Sequence, residues 1–126
     1  MDIEKIIREY LAGLEEGNYS KLLNLFSESA TIHSPLSGST KASKFYRDLL
    51  NDTKKSEIEL INIFTKKKDE KIGAGHFIYN WVLKDGTEVS FECVDIFQFS
   101  ENGKIEELKI IYDTYGPRQK YERMTN

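Results

Sequence analysis

The chain has 126 residues, 39% of them hydrophobic and 12% aromatic, and a formal net charge of −3. That length fits a single domain, residues 1–126, with a core of its own, and the apolar and aromatic content excludes a disordered chain. A near-neutral balance of interspersed charges argues against a nucleic-acid or membrane surface, and one cysteine with two histidines is too few for a structural zinc site.

Residues 2–16 carry Ile3, Ile6, Ile7, Tyr10, Leu11 and Leu14 at the i, i+3, i+4 spacing of a helix with one buried stripe. Asp2 is placed to cap its start and Gly17 to end it. A second helix over residues 19–26 turns Leu22, Leu23 and Phe26 inward. Residues 30–33 read as a short strand, ended by Pro35 and the loop Leu36-Ser37-Gly38-Ser39. Thr40 then caps a third helix reaching Asn51, with Phe45, Tyr46, Leu49 and Leu50 on its apolar side. From Ser56 onward the pattern is strand. Residues 57–65 alternate, a turn falls within residues 66–71, and residues 72–83 form the next strand. Asp85-Gly86 is a tight-turn dipeptide, and residues 88–113 form a hairpin turning at Asn102-Gly103. The basic run Lys66-Lys67-Lys68 reads as a solvated hairpin tip, and the polar tail after Gly116-Pro117 is expected to fray or pack loosely. Helices followed by antiparallel strands make an α+β fold, three N-terminal helices covering one face of a curved, mainly antiparallel sheet.

The amphipathic N-terminus and the lack of any long apolar run give no signal peptide or membrane span, so the expected location is the cytoplasm. Cys93, the single cysteine, leaves no intrachain disulfide and fits a reducing compartment.

One residue breaks the pattern. Val89, Phe91, Cys93, Phe97 and Phe99 alternate onto one strand face, and Asp95 falls in the same register. A carboxylate in an apolar row is costly unless it has a partner, stays protonated, or lines a cavity holding something polar. It is either a pocket carboxyl or a core carboxylate tied to a helix donor or to Tyr10. Tyr10, in the buried stripe, is likewise either a core aromatic or a hydrogen-bond donor. Cys93 reads as a small buried apolar residue with no neighbour that lowers its pKa.

Strand pairing decides what faces Asp95. A two-residue turn at Asp85-Gly86 pairs Val82 with Val89, Ile78 with Cys93 and His76 with Asp95. The Asp95 face then carries His76, Ile78, Asn80 and Val82. Phe77, Tyr79 and Trp81, with Val94 and Ile96, fall on the outer face, whose apolar area suits a homodimer interface. A three-residue turn including Lys84 reverses the parity and places Tyr79 and Trp81 beside Asp95; the first register is preferred. The same arithmetic at Asn102-Gly103 pairs Phe97 with Leu108, Asp95 with Ile110 and Cys93 with Tyr112, so Tyr112 shares the concave face.

Several local strings, in order and spacing, resemble the nuclear transport factor 2-like superfamily, which includes the ketosteroid isomerases and the SnoaL-like polyketide cyclases. They are Tyr10-Leu11, Leu25-Phe26 before Ala30-Thr31-Ile32-His33-Ser34-Pro35, Gly38, and Val94-Asp95-Ile96-Phe97-Gln98-Phe99 before Gly103-Lys104-Ile105. The resemblance covers nearly the whole chain. It implies a cone-shaped α+β barrel, a deep apolar pocket between helices and sheet, and a homodimer through the outer sheet face. Ketosteroid isomerases use a carboxylate base and an oxyanion hole of a tyrosine and a protonated aspartic acid. By this resemblance Tyr10 stands at the tyrosine and Asp95 at the aspartic acid, while Ser34 occupies the place of the base. Serine does not shuttle protons near neutral pH unaided, which argues against steroid isomerisation. SnoaL-like cyclases depend on a pocket aspartate and histidine, for which Asp95 and His76 are the available pair.

The sequence therefore predicts a pocket for a small hydrophobic or partly polar molecule. Asp95 and His76 are the expected proton-transfer pair, Tyr10 the donor, and Ser34, Tyr112, Phe97, Phe45, Asn80 and Ile78 the lining. Isomerisation, cyclisation and dehydration fit and need no cofactor or metal. The alternative is a non-catalytic dimeric binding or partner-interaction module of the same fold.

Overall fold

The computed structural model describes residues 1–67 and 71–125, the last through its backbone only. The apolar stripe at the N-terminus becomes helix α1 (Ile3–Glu16), which buries Ile7, Tyr10, Leu11 and Leu14. Asp2 accepts a hydrogen bond from the Lys5 amide, and Gly17 closes the helix at φ 67°, a conformation that an L side chain resists. The expected caps are both in place.

Helix α2 (Tyr19–Leu23) is shorter than its sequence pattern, because Phe26 leaves it to open strand β1 (Phe26–Ser34). The loop after Pro35 folds straight back as β2 (Gly38–Lys41), pairing Ser34 with Gly38 and Ile32 with Thr40. Thr40 is therefore a strand residue and not a helix cap. Helix α3 (Ala42–Asn51) starts after Lys41, which makes no side-chain capping bond. Strand β3 (Thr53–Thr65) begins earlier than its alternation suggests, and β4 (Ile72–Leu83), β5 (Glu88–Phe99) and β6 (Ile105–Ile111) follow. Of the turn expected within residues 66–71, residues 68–70 lie outside the described residues.

The six strands form one sheet in the order β2-β1-β6-β5-β4-β3. Only β1 and β6 are parallel; every other pair is antiparallel. The sheet curls without closing, with β2 and β3 at its edges, and the helices cover its concave face. This is the expected α+β architecture. Close contact between α1 and the sheet depends on two glycines of β4. A Cβ at Gly73 would stand 2.6 Å from Ile3 Cγ2, and one at Gly75 would stand 3.3 Å from Ile7 Cγ2.

The tail does not fray as expected. It forms helix α4 (Tyr115–Thr125), in which Pro117, Tyr121 and Met124 recur at i, i+4, i+7 and turn toward the core. Arg118 Nη2 donates to the Pro35 carbonyl at 2.6 Å, Lys120 Nζ to the Glu88 carbonyl at 2.9 Å, and the Tyr121 hydroxyl to Asp52 Oδ2 at 2.5 Å. These bonds strap the polar helix across the open end of the sheet.

The register of β4 against β5 is the main correction. Leu83 donates to Thr87 and Gly86 donates back to Leu83, so Lys84, Asp85 and Gly86 form a three-residue loop with Gly86 at φ 91°. Asp95 stands opposite Gly75, Cys93 opposite Phe77, and Val89 opposite Trp81. The parity is thus the reverse of the preferred one. Phe77, Tyr79 and Trp81 are buried on the concave side, and His76, Ile78, Asn80 and Val82 face outward. At the second hairpin Ser100 pairs with Lys104 around another three-residue loop, Glu101 to Gly103. Here a bulge between Gln98 and Phe99 restores the parity, and Phe97 faces Leu108 and Asp95 faces Ile110 as expected.

Candidate functional site

A cavity of about 380 Å³ opens between the concave sheet face and helices α1, α3 and α4. Strand alternation supplies its floor: Phe77, Tyr79 and Trp81 from β4, and Phe91, Cys93 and Asp95 from β5. Tyr10 enters from α1 and Phe45 from α3. Ser34 and Leu36 come from the β1–β2 connection, Tyr112 follows β6, and Tyr121 belongs to α4. Lys44 and Asp48, paired at 2.6 Å, stand at the mouth.

Asp95 is 2% exposed. Its Oδ1 accepts a hydrogen bond from the Cys93 thiol at 3.2 Å, and its Oδ2 has no hydrogen-bond partner among the described residues. Burial pushes its pKa up to about 7, opposed only by the thiol bond. The group therefore changes between neutral donor and charged acceptor near neutral pH. It is not tied to Tyr10.

The Tyr10 hydroxyl lies 2.6 Å from that of Tyr46, and both rings are buried. Burial raises both phenols well above their ordinary range. The charges of Tyr46 and Asp95 add to it at Tyr10, while at Tyr46 the hydrogen bond with Tyr10 opposes it and the charge of Asp95 adds to it. Each hydroxyl has one proton. Tyr10 lines the cavity and Tyr46 does not, so donation from Tyr46 to Tyr10 leaves the Tyr10 proton for a ligand. Tyr79, raised by burial, shares a 2.8 Å hydrogen bond with Ser56. Trp81 donates to Thr53 Oγ1 at 2.8 Å and stacks on Tyr121 with ring centres 5.7 Å apart. Phe91 stacks on Tyr112 at 4.1 Å. The walls are thus aromatic planes, and the polar tips of Tyr10, Tyr79, Trp81 and Tyr121 are bonded to side chains behind them.

Of the predicted site residues, Asp95, Tyr10, Ser34, Tyr112 and Phe45 meet in this cavity. Ser34 Oγ accepts from the Leu36 amide at 3.3 Å and fixes the turn there. Phe97 is wholly buried, packs edge-on against Tyr10, and belongs to the core rather than the wall. His76, Asn80 and Ile78 do not reach the cavity. They are on the outer face, where His76 Nε2 lies 2.5 Å from Glu92 and its Nδ1 3.2 Å from Asn62. Asp95 and His76 are not a pair, because the three-residue loop sends them to opposite sides of the sheet. His33 is also superficial, bonded to Ser39 and Glu107. Among the described residues no group of His, Cys, Asp and Glu side chains is gathered to hold a metal ion, and no helix is long and apolar enough to cross a membrane.

Sequence reasoning missed Tyr79, Trp81 and Phe77 as floor, Tyr46 as the partner of Tyr10, and Tyr121 as wall. The alternative loop reading carried the signal for Tyr79 and Trp81. The Pro117, Tyr121, Met124 spacing carried it for α4.

Helices on the concave face of a curled six-stranded sheet, with a carboxyl buried at the bottom of the cavity between them, define the nuclear transport factor 2-like class of α+β fold. The SnoaL-like domain family matches residues 7–108, and the chain belongs to that family. A search of curated protein sequences returned no match. Among solved structures, the epoxide hydrolase/cyclase-like enzyme SalBIII, described in pyran ring formation in the polyether salinomycin, superposes with a TM-score of 0.76 at 22% identity, covering 90% of this chain and 92% of that one. A protein of ketosteroid isomerase-like fold from Catenulispora acidiphila, solved with trimethylamine, gives 0.75 at 12% identity over 88% and 87%. AclR from Streptomyces galilaeus gives 0.75 at 14% identity over 95% of both chains. At these identities the likeness is one of fold.

Proposed function

We propose that the cavity binds a small, largely apolar molecule bearing a carbonyl or similar acceptor, and that Asp95 performs cofactor-free proton transfer on it, of the isomerase, cyclase or dehydratase kind. The observation that carries this reading is the Asp95 carboxyl, buried among aromatic side chains with one oxygen unpartnered and a pKa near 7. A structural carboxylate would be satisfied by several donors and held low. Tyr10, backed by Tyr46, supplies a second donor for a developing oxyanion. The description of SalBIII as epoxide hydrolase/cyclase-like is in keeping with this chemistry. Steroid isomerisation is disfavoured, because Ser34 provides a hydroxyl where a base is needed.

Trp81 is the single tryptophan and lines the cavity, so its fluorescence reports binding directly. Titration with small apolar ketones is expected to quench it, and deuterium exchange at the carbon beside the carbonyl is expected to be catalysed by the native protein and lost in Asp95→Asn. Quenching without exchange for any bound ketone would leave the non-catalytic binding module.

Homodimerisation through the outer sheet face belongs to the same proposal. Val94, Ile96 and Ile111 are adjacent there, with Ile96 36% and Ile111 43% exposed. Ile96→Lys is expected to convert a dimer to monomer in sedimentation. The single unpaired thiol fits the cytoplasm as the location.

A further inference from the structure

The cavity floor holds a second reactive group that the proton-transfer reading does not use. Cys93 precedes Asp95 by two positions on β5, so the pleat puts both on the concave face. The thiol lines the cavity and donates to Asp95 Oδ1 at 3.2 Å, while Asp95, 2% exposed, keeps Oδ2 without a partner. A thiol hydrogen-bonded to a buried carboxylate, beside an apolar void, is a nucleophile with its proton acceptor already in place.

We propose that Cys93 is a covalent capture site whose thiol, with Asp95 as base, adds to neutral α,β-unsaturated carbonyl compounds seated in the cavity; this rests on the reading of the cavity as a ligand site. The S–H bond breaks and its proton passes to the Asp95 carboxylate. The sulfur electron pair forms the bond to the β-carbon, and the carbon–carbon π pair moves toward the carbonyl oxygen as an enolate. Asp95 then returns the proton to the α-carbon, leaving a neutral thioether and a regenerated carboxylate. Nothing is oxidised or reduced and no co-reactant is consumed. The reverse sequence releases the unsaturated compound.

Three features fit. Burial, then the negative charge of Asp95, holds the Cys93 thiol far above its ordinary range, so a free thiolate is not populated and proton removal must accompany bond formation. The apolar aromatic walls favour neutral electrophiles over charged ones. The other titratable groups facing the pair are Tyr10 from α1, Tyr46 from α3, Tyr79 from β4 and Tyr112 beyond β6, all raised by burial and neutral near pH 7, with the Lys44–Asp48 ion pair at the mouth. Asp95 is the one member of this set placed to titrate near neutrality.

Cys93 is the single cysteine, so any thiol adduct is assigned without ambiguity. The native protein is incubated with 2-cyclohexenone or benzylideneacetone and adduct formation is followed by intact mass. One adduct per chain is expected, with a rate that rises with pH, has its midpoint near 7 and then levels off. Cys93→Ser should abolish it. Asp95→Asn, shown folded by circular dichroism, should slow it at least tenfold, and iodoacetate should react far more slowly than the enone. A rate that climbs through pH 9 without levelling, or that Asp95→Asn leaves unchanged, would overturn the proposal. So would Trp81 quenching by the enone with no adduct, which leaves the cavity as a ligand site. Absence of both quenching and adduct would overturn the ligand-site reading as well.

Discussion

The hydroxyls of Tyr10 and Tyr46 lie 2.6 Å apart, one on α1 and one on α3, and the contact joins the two helices behind the Asp95 floor. Tyr46→Phe removes one hydroxyl without opening a void. The expected cost is about 1 kcal/mol of stability, the net worth of one buried hydrogen bond. Chemical denaturation measures it. Ketone affinity should fall as well, since Tyr10 loses the partner that orients its proton.

Asp95 sets a pH dependence of stability whose sign is fixed by its raised pKa. The folded value of about 7 exceeds the unfolded value of 3.8. The contribution of Asp95 is therefore fully present below the unfolded pKa and lost as pH rises through the folded one. The penalty at pH 8 is at most on the order of 4 kcal/mol. Asp95→Asn should accordingly stabilise the protein more at pH 8 than at pH 4. Thermal melts of both proteins across that range check it, and a uniform loss of stability would mark the carboxylate as structural.

The strap formed by α4 makes a prediction about access. Arg118 reaches across to the Pro35 carbonyl, next to the Ser34 and Leu36 wall. Arg118→Ala removes a charged donor worth roughly 1–2 kcal/mol. Amide hydrogen exchange in α4 should speed up, and bound ligand should dissociate faster, the two effects moving together. Faster exchange with unchanged dissociation would separate the strap from the ligand path.

His76 gives the converse. It faces outward, bonded to Glu92 and Asn62. His76→Ala should leave ketone affinity within about twofold, the range of a substitution remote from the site. A larger loss, read by Trp81 quenching, would put the imidazole back in the site.

Much of the scaffold was legible because its signals are local. The 3.6-residue stripe of α1, the glycine that ends it, and the alternation of β4 and β5 each depend on neighbouring residues alone. The oddity of Asp95 was visible for the same reason. The partner of Asp95 was not, because it depends on whether the chain turns in two residues or three. Asp85-Gly86 and Asn102-Gly103 both turn in three, with the glycine last. At Asn102-Gly103 a bulge at Glu106 absorbs the extra residue, and the pairing expected for Asp95 and Ile110 survives by compensation. At Asp85-Gly86 nothing absorbs it, and every side chain of β4 changes sides. Bulges are set by packing across strands and leave little trace in the residues that form them.

The position of β6 has a consequence for how the molecule is made. This strand stands between β1 and β5, yet it is the last strand of the chain. Without it, β1 has only the short β2 beside it in the sheet, and the β3–β4–β5 meander has its β5 edge open as well as its β3 edge. Within the sheet, Ser34 at the end of β1 and Asp95 in the meander are joined through residues 105–111. Such late, long-range pairing is slow and leaves open edges exposed while it waits. The floor lies within β4 and β5, but the wall carrying Ser34 joins it through the last strand of the chain.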